Sequence, residues 1–148
     1  MKRRTALAAL PVALTGCAGV RDSGDDGPDI VDASGEIEIR IDGEAFDLSV
    51  DRFQAEHAEE HSLAFHLHES DDRWYMEGRE QVTFAEGIGL LPNFEYRHVE
   101  GSHVIGIDDR TYDEREGAEI EFAVDGEPVD PIEYELRDGD SLLVTIST

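Results

Sequence analysis

Residues 36–41 (EIEIRI) alternate charged and apolar positions, which places Ile37, Ile39 and Ile41 on one face of a strand. Asp42-Gly43 follows, a dipeptide suited to the type I′ turn of a two-residue hairpin, and residues 44–48 return. Asp51 then reads as a helix cap with Gln54 at the reach-back position, predicting a helix to about residue 60. Residues 63–69 (LAFHLHE) alternate again, with Leu63, Phe65 and Leu67 predicted inward and His66 and His68 outward. A turn at 70–72 leads into residues 73–77 (RWYME), with Trp74 and Met76 sharing a face. Thr83 and Glu86 form a second capping box (TFAE), opening a short helix through about residue 90. Residues 94–99 and 103–108 predict another hairpin, and 120–124, 133–137 and 141–146 the remaining strands, with a turn at Asp138-Gly139. The pattern specifies an α+β, mostly β fold of antiparallel hairpins with one or two short helices, in a single domain at 36–148.

Residues 37–47 (IEIRIDGEAFD) match residues 120–130 (IEFAVDGEPVD) at a uniform offset. Each is a strand, an Asp-Gly turn and a returning strand. Two hairpins of an acidic β protein can look alike without a common origin, so an internal repeat and coincidence both stay open. The hairpin–helix–strand order and the ending YELRDGDSLLVTI resemble β-grasp modules, whose last strand often follows an acidic-Gly-Asp turn. That resemblance, with the repeat, implies duplicated β-grasp-like modules.

Charge changes the reading of every carboxylate. The chain has 36 Asp and Glu against 12 Lys and Arg, a net charge of −24, and Lys2 is its only lysine. Such a surface repels itself at low salt and is screened at molar salt, where the Debye length is about 3 Å. It excludes nucleic-acid binding of the usual kind, which needs basic clusters to displace counterions, and none exists beyond Arg4. Acidic runs such as Asp25-Asp26, Glu59-Glu60 and Asp71-Asp72 read first as solvated surface.

The N-terminus carries a different signal. Lys2, Arg3 and Arg4 precede a short apolar run (ALAALPVALT) closed by Leu14-Thr15-Gly16-Cys17. The run is too short for a permanent membrane span. It resembles a lipoprotein signal peptide, with LTGC matching the lipobox. The resemblance implies cleavage after Gly16, lipidation of Cys17, and a diacyl anchor at the outer face of the cell membrane. Arg3-Arg4-Thr5-Ala6-Leu7 also resembles a twin-arginine export signal, and general export stays open beside it. Residues 18–35 (AGVRDSGDDGPDIVDASG), rich in Gly and acid, predict a disordered tether, so that 17–35 comprises lipidated cysteine and tether. Lipobox and lysine-free acidic body together resemble haloarchaeal lipoproteins, which implies location rather than activity.

Cys17 is the only cysteine, which rules out an intramolecular disulfide and cysteine-based catalysis in the mature domain. The six histidines, all between residues 57 and 103, are the concentrated chemistry. His57 and His61 (HAEEH) would share a helix face at i,i+4, and His66 and His68 share a strand face at i,i+2. If Glu100-Gly101 is a two-residue turn, His98 stands opposite His103. These pairs make His57, His61, His66 and His68 candidate metal ligands, and His98 and His103 a weaker pair. Imidazole suits Zn²⁺, Cu²⁺ or Ni²⁺ better than Ca²⁺ or Mg²⁺. Solvent exposure alone explains His66 and His68 equally well. The stretches HSLAFHLHESDDRWYMEG and RHVEGSHVIGI also resemble histidine-containing prokaryotic surface domains that have no assigned activity.

No nucleophile elbow, phosphate loop or dinucleotide fingerprint occurs, and HAEEH lacks the long partner helix an inverzincin protease needs. The expectation is therefore a non-enzymatic, membrane-anchored module that binds a transition metal or small ligand through its histidines. The alternative is a surface interaction or structural protein that meets a membrane-protein partner through Trp74 and Tyr75.

Overall fold

The computed structural model describes residues 31–69 and 71–148. Cys17, the expected leader and the tether up to residue 30 lie outside the described residues. In chain order the strands and helix are β1 (Ala33–Ile41), β2 (Glu44–Ala45), β3 (His66–Leu67), β4 (Arg73–Met76), α1 (Phe84–Leu90), β5 (Phe94–Val99), β6 (Ser102–Ile107), β7 (Arg110–Asp113), β8 (Glu119–Val124), β9 (Glu127–Pro128) and β10 (Leu142–Ser147). This is the mostly β, α+β class that the alternation predicts. β1 starts at Ala33, and the Val31 N–H donates to the Gly78 carbonyl at 2.8 Å. The sheet therefore takes up the last residues assigned to the tether.

β1 is the organising strand. Its first half pairs antiparallel with β4, Ala33 opposite Met76, and its second half runs parallel to β10, Ile37 opposite Leu142. The main sheet has the order β3-β4-β1-β10-β8-β9, with β2 folded back on β1. Ile37 and Ile39 are buried while Arg40 is exposed, as the alternation requires. A second sheet, β5-β6-β7, supplies Ile105 and Ile107 to the same core. From α1, Phe84 meets Phe122 of β8 edge-on at 5.2 Å between ring centroids.

The two matching segments occupy symmetric places around one strand. Asp42 and Gly43 (φ 52° and 87°) and Asp125 and Gly126 (φ 52° and 85°) both form left-handed turns, one leaving β1 and the other leaving β8. Because β1 is parallel and β8 antiparallel to β10, the turns lie at opposite ends of β10. The Asp42 carboxylate accepts from the Thr148 backbone N–H, and that of Asp125 accepts from the Ser141 N–H. Both segments thus belong to one sheet and share β10.

Four expectations are corrected. Residues 51–60 do not form an α-helix. They make two single 3-10 turns, Asp51–Phe53 and Ala55–His57, interrupted by an extended Gln54 (φ −103°, ψ 145°). Phe53, Gln54 and Ala55 are buried consecutively, which no single stripe of a surface helix allows. Leu63 is not inward but 57% exposed, because residues 63 and 64 turn between the bridged Ser62 and Phe65. Residues 133–137 form turns and one isolated bridge, Glu135 to Thr83, rather than a strand. Trp74 is fully buried rather than exposed. It stacks on Phe65 at 5.6 Å and donates from Nε1 to the Asp140 carbonyl at 3.0 Å. Gly35 makes room for that bond, since a Cβ there would lie 2.0 Å from the Asp140 oxygen. The capping box at Thr83 and Glu86 forms as the sequence indicates, with both reciprocal bonds present.

Candidate metal centre

The β3–β4 pair has two faces. Phe65, Leu67, Trp74 and Met76 turn into the core. By the same alternation His66, His68, Tyr75 and Glu77 share the other face, with His66 directly opposite Tyr75. That second face is not left to solvent around His66, which is only 1% exposed. Residues 55–62 meet it. Glu56, from the second 3-10 turn, reaches His68 and the Glu69 backbone, and the Ser62 carbonyl reaches His66. The alternation therefore places His66 and His68 on the expected face, while the covering segment makes His66 a buried residue.

Hydrogen bonds fix how the two imidazoles present their nitrogens. His66 Nδ1 lies 3.1 Å from the Ser62 carbonyl oxygen, which can only accept. His68 Nδ1 lies 2.8 Å from the Glu56 carboxylate. Glu56 is held ionised, its pKa lowered to about 2, chiefly because the Glu69 N–H donates to it and also through its bond to His68. Both Nδ1 atoms are therefore donors, and in the neutral rings both Nε2 atoms carry lone pairs. Those two Nε2 atoms face each other at 3.2 Å, and Glu77 Oε1 lies 3.0 Å from the Nε2 of His66. One nitrogen from each of His66 and His68 and one Glu77 oxygen all lie within 4.8 Å of one another.

Electron pairs brought this close repel unless a cation lies between them. A proton can serve only by turning one ring into imidazolium. Burial, and next the neighbouring His68, push the pKa of His66 down, opposing that choice despite Glu77 and the Ser62 bond. A transition-metal ion meets the same need. Ligand atoms about 2.0–2.1 Å from one tetrahedral ion sit about 3.3 Å apart, close to the 3.2 Å between the two Nε2 atoms and the 3.0 Å from His66 Nε2 to Glu77 Oε1. The Ser62 carbonyl and the Glu56 carboxylate then act as the outer partners that orient metal-bound imidazoles.

The other expected ligands fall into different surroundings. His57 and His61 do not share a helix face. His57 Nε2 pairs with Glu69 at 2.7 Å, a bond that raises its pKa, and lies 3.8 Å from Asp51. His61 is exposed, with its ring centroid 5.8 Å from that of His66. His98 and His103 stand opposite each other across the Glu100-Gly101 turn as expected, with ring centroids 5.4 Å apart. There, however, His103 Nδ1 is engaged by the Tyr96 hydroxyl at 2.6 Å, and the two rings belong to no three-ligand group among the described residues. Tyr75 lines the candidate centre, its ring 4.7 Å from that of His68 and its hydroxyl donating to Asp71. Sequence reasoning missed Glu77 and Glu56. Glu77 was accessible, since alternation through RWYME puts it on the face of His66. Glu56 was not, because it arrives by way of the irregular covering segment.

Comparison of the chain with protein-family models, curated proteins and solved structures gives no match.

Proposed function

We propose that this protein is a transition-metal-binding module, with His66, His68 and Glu77 holding one Zn²⁺, Cu²⁺ or Ni²⁺ ion. The observation that carries the reading is that the two Nε2 atoms and a Glu77 oxygen crowd together, 3.2 and 3.0 Å from one another at His66, with both Nδ1 atoms committed elsewhere. Two imidazoles and a carboxylate suit borderline divalent ions better than Ca²⁺ or Mg²⁺, which prefer all-oxygen sites. The acidic surface raises the local cation concentration without specifying the ion. In this proposal the module is a halophile lipoprotein, anchored through Cys17 on the extracellular side of the cell membrane, and it binds rather than catalyses. The competing reading, a partner-docking protein anchored by Trp74 and Tyr75, loses its main anchor because Trp74 is buried.

The test is calorimetric titration of the Cys17→Ser chain, free of tag histidines, in molar NaCl with Zn²⁺, Cu²⁺ and Ni²⁺. One tight equivalent is expected, with a stabilisation of about 2.7 kcal/mol at a metal concentration a hundred times Kd. Weak uptake of many ions with no rise in melting temperature would overturn the proposal.

A further inference from the structure

Three protein ligands leave a tetrahedral ion one position short. Resting on the metal reading above, we infer that the exposed imidazole of His61 fills it, making a closed His61–His66–His68–Glu77 centre with no vacancy for an outside ligand.

Geometry singles out His61. Imidazoles bound through one nitrogen to a common tetrahedral ion have ring centroids about 5 Å apart, given metal–nitrogen bonds of about 2.0–2.1 Å. His66 and His68 are at 4.7 Å, and His61 is at 5.8 Å from His66, within about an ångström of the required spacing. The backbone supports the placement. His61 immediately precedes Ser62, whose carbonyl orients His66, and the Ser62–Phe65 bridge folds this stretch back beside the centre. The neighbouring polar groups are already engaged. His57 is bound to Glu69, and Glu56 holds both His68 and the Glu69 N–H. Among the described residues, the His61 ring takes part in no hydrogen bond or ion pair, so a turn about its own side-chain torsions breaks nothing. A closed set of four protein ligands is the signature of sites that retain a metal, whereas catalytic zinc keeps one position open.

The experiment uses the Cys17→Ser chain and Cu²⁺, with azide as the probe of a vacancy. The wild-type copper complex should give no azide-to-copper charge-transfer band. His61→Ala should bind copper at least tenfold more weakly, gain the azide band, and lose one nitrogen from the superhyperfine pattern of its electron paramagnetic resonance spectrum. Its metal-free melting temperature should match wild type, since the side chain is exposed. An azide band in wild type together with unchanged affinity in His61→Ala would overturn the inference and leave the three-ligand reading intact. If wild type takes up no stoichiometric copper, the metal reading itself fails.

Discussion

Two pairs of histidines meet across neighbouring strand positions in this protein, and they end in different chemistry. His98 and His103 face each other across a tight hairpin, near enough to share an ion. His66 and His68 lie two positions apart beside β4. Distance does not separate the pairs: ring centroids are 5.4 Å apart in one and 4.7 Å in the other. What separates them is the partner of the remaining ring nitrogen. A carbonyl and an ionised carboxylate force both protons of the His66/His68 pair onto Nδ1 and leave both Nε2 atoms bare. At the hairpin, a tyrosine hydroxyl, which can donate or accept, holds one Nδ1 and fixes nothing further. Proximity makes a pair of histidines; acceptors behind them make a site.

The contrast can be tested from the largest effect downwards. The β3–β4 region rests on Trp74, so Trp74→Ala should cost about 3–5 kcal/mol in denaturant unfolding. Tyr96→Phe at the hairpin should cost about 1 kcal/mol, the net worth of one hydrogen bond. Equal losses would mean that the two regions are not built differently. Metal affinity gives the next step. His66→Ala with His68→Ala should weaken Zn²⁺ binding by more than about a hundredfold, beyond the effect of losing one outer partner. Changing His98 and His103 together should leave it within about threefold, and the reverse result would move the centre to the hairpin. Glu56→Gln touches no proposed ligand atom, yet should weaken binding by about tenfold or more, since the orientation of His68 depends on it. Unchanged affinity in that variant would refute the role given to the acceptor.

The smallest effect concerns pH in the metal-free protein. Burial lowers the pKa of both His66 and His103 below the ordinary 6.5. Between the folded value and 6.5 the unfolded chain binds more protons, so stability rises with pH through that window. It is fully present above 6.5 and lost as pH falls to the folded value. His57, raised by its bond to Glu69, works in the opposite sense and contributes on the acid side. Melting curves across this range should therefore be less steeply pH-dependent in His66→Gln and in His103→Gln. A slope identical to wild type in both would show that neither ring is held neutral by the fold.

Local features were legible in the sequence because their physics is local. The Asp42-Gly43 and Glu100-Gly101 turns form with both residues at positive φ, and the Thr83–Glu86 capping box closes as its spacing demands. The same capping logic failed at Asp51 and Gln54, where burial of Phe53, Gln54 and Ala55 together outweighed helix propensity. β7 was missed because Asp108, at φ 56°, turns the chain into a four-residue strand with little apolar content. The parallel β1–β10 pairing leaves no local trace at all. For the centre, alternation gave the shared face of His66 and His68 but not the segment lying over it, and so not the burial that sets their chemistry.

The pairing of β1 with β10 has a consequence in time. Residues 37–41 find their parallel neighbours only in residues 142–146, and Asp42 bonds to Thr148, 106 positions away. Contacts of such separation slow folding, because a long loop must close before they form. As the chain is made, its central strand waits with one edge bare until residues 142–146 have appeared. A chain halted before residue 142 therefore leaves the middle of the sheet without its partner.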